Sequence, residues 1–216
     1  MRKYKYILFD LDGTLIYSHP GIYSCIRYAL KELGLPAPKE AELKKCIGPS
    51  LMYSFKHYFG LDEETARKAT AKYREEYSRT GVYENEAIRG ALEMLKTLKE
   101  RGYTLAMATS KPKLYADIIS ARFGFCEYLT AQVGSGVDGS FPTKASVIAE
   151  AMRQLGAAPN ECLMVGDRMH DLEGARENKV DCALLEIGYA EWGEIERVQP
   201  EYAFKDFAAL TAFLTE

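Results

Sequence analysis

Three short apolar runs in this chain each stop at a polar residue: YILF at Asp10, YTLAMA at Thr109 and CLMVG at Asp167. Runs this short, rich in aliphatic and aromatic side chains and closed by turn-forming residues, read as buried strands. Further strand-like runs lie at 128–133, 180–185 and 202–204. Helical spacing falls between them: Ile88, Leu92, Leu95 and Leu98 before Gly102, then Leu114, Ile118 and Ile119, then 144–155 before Gly156. A glycine-rich loop is expected over 134–142, a turn over 166–171, a short helix over 172–178 and a last helix over 207–214. Strands separated by such helices build a parallel sheet wound on both faces, an α/β fold whose ligands sit beyond the carboxyl ends of the strands. Asp10, Thr109 and Asp167, remote in sequence, are therefore expected to converge.

Residues 17–83 break the alternation. Ile22, Ile26, Ala29, Leu30 and Leu33 predict a helix over 20–33, with Ser18 as cap, Pro20 near its start and Gly34 at its end. Short helices follow over 40–46 and 51–59, and a longer one starts after Asp62 with Ala66, Ala69, Tyr73 and Tyr77 on one face. The expected organisation is a catalytic α/β core of 1–16 and 84–216 carrying an inserted, all-helical cap of 17–83 on two hinges. The alternative is that these helices cover one face of the sheet.

At 216 residues the chain is long enough for one large domain with an insertion, and 47% hydrophobic with 27% charged residues is ordinary for a globular protein. A formal net charge of −3 supplies no basic field for a nucleic acid polymer. No apolar run reaches the roughly 18 residues of a membrane span, and no signal peptide is evident at the start. Five widely spaced cysteines without a Cys-x-x-Cys pair read as reduced thiols of a cytoplasmic protein.

The chemistry concentrates where the first strand ends. With period two, Asp10 and Asp12 would project to one side about 7 Å apart. Paired buried carboxylates need a cation, and hard oxygen ligands favour Mg²⁺. Asp-x-Asp-Gly also serves as a plain turn or as part of a calcium loop. Thr109 offers a hydroxyl and neighbouring turn amides to phosphate oxygens, or caps a helix. Lys144 opens a helix where the macrodipole disfavours a cation, which points to an anionic partner; Lys111 is a weaker candidate for that role. After the strand ending at Val165, Asp167 would ligate the metal, and Asp171 would bind through water, position Lys144 or cap the next helix. His170 is read as an exposed loop residue, and His19 and His57 lack ligand spacing.

FDLDGTL, with Thr109 in MATSKP, Lys144 in FPTKASVI and Asp167 and Asp171 in GDRMHDLEGA, resembles the haloacid dehalogenase superfamily in order and spacing. Together with IGPSL and GSGVDG it looks like the subgroup near phosphoglycolate phosphatases, often labelled 5′-nucleotidase-like. The resemblance covers nearly the whole chain. It implies a Mg²⁺-dependent phosphatase in which Asp10 is the nucleophile and Asp12 the general acid and base. Metal ligands would be Asp10, Asp12 through its backbone carbonyl, Asp167 and Asp171, and phosphate contacts Thr109, Ser110 and Lys144. Tyr17 departs from the subgroup, which usually carries Asp there. Lys45, Gly48 and Ser50 are candidate substrate contacts from the cap.

The expected activity is hydrolysis of a small phosphorylated metabolite through an aspartyl-phosphate, by a monomer or homodimer without nucleic acid or membrane partners. A phosphomutase on the same scaffold and a noncatalytic module switched by aspartate phosphorylation remain as alternatives.

Overall fold

The computed structural model describes residues 3–216. Its strands are β1 (Tyr6–Phe9), β2 (Ile16–Tyr17), β3 (Glu86–Ala87), β4 (Thr104–Pro112), β5 (Leu129–Ser135), β6 (Cys162–Gly166), β7 (Asp181–Leu185) and β8 (Tyr202–Phe204). Its α-helices are α1 (His19–Glu32), α2 (Glu40–Lys45), α3 (Leu51–His57), α4 (Glu63–Arg79), α5 (Ala91–Glu100), α6 (Lys113–Arg122), α7 (Lys144–Leu155), α8 (Met169–Glu177), α9 (Glu194–Val198) and α10 (Phe207–Thr215). The chain divides into two compact units, one of which is Tyr17–Glu86 and the other the chain on either side of it.

The larger unit is an α/β doubly wound parallel sheet in the order β5-β4-β1-β6-β7-β8. The chain winds outward from β1 on one side, then returns and winds outward on the other, so β1 lies at the switch point between β4 and β6. That is where ligands of such sheets bind. Ile7, Leu8 and Phe9 are all fully buried, as are Leu105 to Ala108 and Leu163 to Val165. Burial on both faces explains why these strands read as continuous apolar runs rather than alternating ones. Leu8, Ala106, Ala108, Met164 and Leu184 pack with Val147, Ile148 and Ala151 of α7 and Leu172 and Ala175 of α8. Each fully buried large side chain in this core contributes about 1.5–3 kcal/mol of transfer free energy.

In the helical unit α4 packs on α1 and α3. Ile22, Ile26 and Ala29 of α1 are buried, as are Ala66, Ala69, Tyr73 and Tyr77 along one stripe of α4. Asp62 caps α4 by accepting a hydrogen bond from the Thr65 amide at 2.9 Å.

Several boundaries differ from the sequence expectation. Residues 109–112 are not a turn, because β4 continues through them, with an irregularity, to pair Thr109 with Gly134 and Pro112 with Ser135. The 134–142 loop correspondingly starts after Ser135. Helix α5 begins at Ala91 rather than near Ile88, whose amide instead donates to the Leu15 carbonyl at 2.9 Å. Helix α8 begins at Met169, so His170 lies on a helix, 3.7 Å from Glu173, and not in a loop. Helix α9 was not anticipated.

Candidate active site

Asp10 follows directly on β1, and its amide donates to the Val165 carbonyl at 2.9 Å, which fixes it at the β1–β6 seam. The chain then turns. Gly13 has φ +83°, and a Cβ there would lie 2.2 Å from Asp167 Oδ2, so only glycine permits this loop to press on the carboxylate from β6. The extended strand ends at Phe9, so Asp10 and Asp12 lie on the segment that leaves it. Each has its own ammonium: Lys144 Nζ donates to Asp10 Oδ1 at 2.6 Å, and Lys111 Nζ to Asp12 at 2.9 and 3.0 Å.

Lys144 is the first residue of α7, behind Thr143, whose hydroxyl accepts from the Ser146 amide at 3.1 Å. Its ammonium lies 2.9 Å from Asp171 Oδ1 and donates to the Ala108 carbonyl at 3.2 Å. One buried cation thus ties the ends of β1 and β4 to α8. Asp171 is not the N-cap of a helix from 172; it is the third residue of α8, and its Oδ2 reaches back to accept from the Asp167 and Arg168 amides, each at 3.1 Å. Asp167 is fully buried; Oδ2 accepts from the Tyr189 amide at 2.5 Å and Oδ1 from the Thr14 hydroxyl at 3.4 Å. A Cβ on Gly188 would stand 2.3 Å from the Asp167 side chain.

Carboxylate oxygens of Asp10, Asp167 and Asp171 all lie within 4.8 Å of one another. Burial, with the charges of Asp171 and Asp12, outweighs Lys144 and pushes Asp10 up to about 6. Burial, then Asp171 and Asp10, push Asp167 well above the carboxylate range despite the Tyr189 amide. For Lys144, burial favours the neutral amine, but Asp10 and Asp171 more than reverse this and hold it charged. Three buried carboxylates against one ammonium leave negative charge uncompensated, and Asp10 and Asp167 are held above the usual carboxylate value as a result. An all-oxygen donor set with surplus negative charge fits a hard divalent cation, so the triad could hold a metal ion. Asp12 lies outside this side-chain group, its expected contribution being a backbone carbonyl.

Thr109 is buried within β4, three residues before its end, and its hydroxyl accepts from the Lys111 amide at 3.2 Å. Ser110 is exposed, and its carbonyl accepts from the Ser135 hydroxyl at 2.8 Å. Lys45, Gly48 and Ser50 are exposed in the helical unit, where Ser50 caps α3 by accepting from the Tyr53 amide at 3.2 Å. The Tyr17 ring lies edge-on to that of His19, 6.4 Å between centroids. Sequence reasoning missed Glu194: it is 1% exposed, and its two oxygens accept from Arg168 Nε at 3.1 and 3.2 Å. No periodicity marks so short a helix; the only local signal was an acidic residue among apolar and glycine neighbours.

A family profile for haloacid dehalogenase-like hydrolases matches residues 7–185. A 5′-nucleotidase of Pseudomonas aeruginosa is 41% identical over 212 residues, covering 98% of this chain and 96% of its own. The tyrosine-protein kinase PtkA of Mycobacterium tuberculosis is 37% identical over 183 residues, covering 85% of this chain but 62% of its own. Among solved structures, a predicted phosphatase from Clostridium acetobutylicum superposes with a TM-score of 0.92 at 34% identity, covering 98% of both chains. The chain belongs to the haloacid dehalogenase-like hydrolases and groups with the phosphatases among them.

Proposed function

We propose that this protein is a Mg²⁺-dependent phosphomonoester hydrolase of small phosphorylated metabolites, nucleoside 5′-monophosphates first among them, working through an aspartyl-phosphate on Asp10. The single observation that carries this reading is the buried Lys144 bridge between Asp10 and Asp171, with Asp167 alongside. It holds one carboxylate oriented at the switch point while leaving surplus negative charge for a cation. The nucleotide preference is supported by the 5′-nucleotidase relative.

In this reading an Asp10 oxygen attacks phosphorus as the bond to the leaving oxygen breaks, and Asp12 supplies the proton that the alcohol carries away. Asp12 then takes a proton from water as that water attacks phosphorus, which releases inorganic phosphate and restores Asp10. Lys144 and the Thr109 hydroxyl, with Ser110 at the same strand end, bind the nonbridging oxygens. Asp10, Asp167 and the Asp12 carbonyl would hold Mg²⁺, with Asp171 behind them, and the ion would neutralise charge on the transferring group. The helical unit serves as the substrate-selecting cap, with Lys45, Gly48 and Ser50 as its contacts.

A cytoplasmic setting is supported by five cysteines outside any disulfide. Among the described residues no helix is long and apolar enough to cross a membrane.

The test is phosphate release from a panel of metabolites and p-nitrophenyl phosphate, with and without Mg²⁺, for wild type and Asp10→Asn. Wild type should require Mg²⁺ and the variant should be at background while melting normally. Turnover retained by Asp10→Asn ends this reading. Isomerised sugar phosphate without released phosphate would instead make the protein a mutase.

A further inference from the structure

Glu194 serves no step of the reaction described above, yet it is one of the most enclosed charges in the chain. It is 1% exposed, and its guanidinium partner Arg168 has a side chain only 11% exposed. Both oxygens are engaged across three segments. Oε1 accepts from Arg168 Nε at 3.1 Å and from the Met169 amide at 2.7 Å; Oε2 accepts from Arg168 Nε at 3.2 Å and from the Glu191 amide at 2.9 Å. The carboxylate thereby pins the loop that follows β7 to the start of α8.

That same loop reaches the acidic triad. Two residues before Glu191, the Tyr189 amide donates to Asp167 Oδ2 at 2.5 Å. Its neighbour Gly188 packs so closely on Asp167 that a Cβ would fall 2.3 Å away, and a Cβ on Gly13 would fall 2.6 Å from the Tyr189 ring. Asp167 is thus oriented by an amide on an irregular loop. Two residues past Tyr189 that loop is tied, through the Glu191 amide, to the buried carboxylate of Glu194, 27 residues along the chain from Asp167. A carboxylate ligand is only as well placed as the hydrogen bonds behind it, and loss of such outer partners typically weakens metal binding.

We propose that Glu194 is a positioning residue for the metal site: by clamping the loop at Glu191 and α8 at Arg168 and Met169, it fixes the Tyr189 amide against Asp167 and so sets the affinity for the divalent cation. This rests on the reading of Asp10 and Asp167, with the Asp12 carbonyl and Asp171 behind them, as the metal site. Glu194→Gln keeps the shape and an acceptor for one amide while removing the charge facing Arg168; Glu194→Ala removes both.

The experiment is calorimetric titration of wild type, Asp167→Asn, Glu194→Gln and Glu194→Ala with Mg²⁺, with amide exchange followed over 186–193. Wild type should bind and Asp167→Asn should not. The Kd for Mg²⁺ should rise by about 10-fold or more in Glu194→Ala and by less in Glu194→Gln, whereas kcat at saturating Mg²⁺ should fall by under about threefold. The Tyr189 amide should exchange faster in both. A purely structural role would lower the melting temperature without that split between affinity and turnover.

Should Glu194→Ala lose its cooperative melt, Glu194→Gln decides. A wild-type Kd in a folded Glu194→Gln overturns the inference while Asp167→Asn still upholds the site. Failure of wild type to bind Mg²⁺ would instead sink the metal-site reading and this inference with it.

Discussion

Lys111 Nζ lies 2.9 and 3.0 Å from the two carboxylate oxygens of Asp12, a pairing between the end of β4 and the loop after β1 in which the lysine side chain is 5% and the aspartate 16% exposed. An ammonium bonded to both oxygens fixes the carboxylate's position and orientation. Lys111→Met should therefore misplace Asp12 and impair proton transfer to the leaving group. The loss should be large, about 100-fold in kcat, for an alkyl phosphate, whose departing alkoxide needs a positioned acid, and small for p-nitrophenyl phosphate, whose does not. Equal losses on the two substrates would show that Lys111 acts on binding or folding instead.

Lys144 bridges Asp10 and Asp171 with a single ammonium, and all three residues are buried. Removing one member of a buried ion cluster leaves the others without compensation. Lys144→Met should destabilise the protein by about 3–5 kcal/mol at neutral pH and abolish turnover. Urea unfolding in metal-free buffer measures the first, phosphate release the second. A midpoint unchanged from wild type would mean that the cluster does not depend on this cation.

Proton uptake at the triad gives a pH dependence with a definite sign. Folding raises Asp10 from its ordinary 3.8 to about 6, chiefly through burial, and raises Asp167 as well. Between those values the folded state holds a proton that the unfolded state has released. Its contribution to stability is therefore complete below about pH 4 and is lost as pH rises through about 6. A divalent cation needs the ionised carboxylates and offsets that loss. The rise in melting temperature caused by saturating Mg²⁺ should be small at pH 5 and grow through pH 6 to pH 7. A Mg²⁺ shift independent of pH across that window would remove Asp10 from the ligand set.

How far the sequence reveals this arrangement depends on which kind of order places each residue. Asp10 and Asp167 were legible because a strand's apolar run ends at them and the winding of a parallel sheet brings such ends together. Lys144 was legible because a lysine at the start of a helix opposes the macrodipole. For Asp171 the reading as a partner of Lys144 matches the contact seen, while the alternative N-cap from 172 fails, since an acidic residue three positions into a helix and one just before it look alike without the backbone. The continuation of β4 past Thr109 depends on ladder partners in β5, a tertiary fact that local turn propensity at Ser110 and Pro112 cannot express. Glu194 escaped notice because its partners Arg168 and Met169, at the start of α8, reach it only in the fold. The relation of Asp12 to Lys111, 99 residues apart, was hidden for the same reason.

Gly13 offers a test that separates crowding from backbone strain. Its φ of +83° resembles the +93° of Gly139, but a Cβ at Gly139 would have nothing within 4 Å, whereas at Gly13 it would lie 2.2 Å from Asp167 Oδ2 and 2.6 Å from the Tyr189 ring. Alanine at either position carries the left-handed backbone penalty, of the order of 1–3 kcal/mol. Only at Gly13 must the new methyl also displace a buried carboxylate. Gly13→Ala should therefore weaken or abolish Mg²⁺ binding and turnover, while Gly139→Ala should lose stability yet keep wild-type Mg²⁺ affinity. Thermal melts and Mg²⁺ titrations on both variants make the comparison. Equal Mg²⁺ affinity in the two would show that the loop after β1 can withdraw from Asp167 without disturbing the ligand, and that its close approach is not what orients the site.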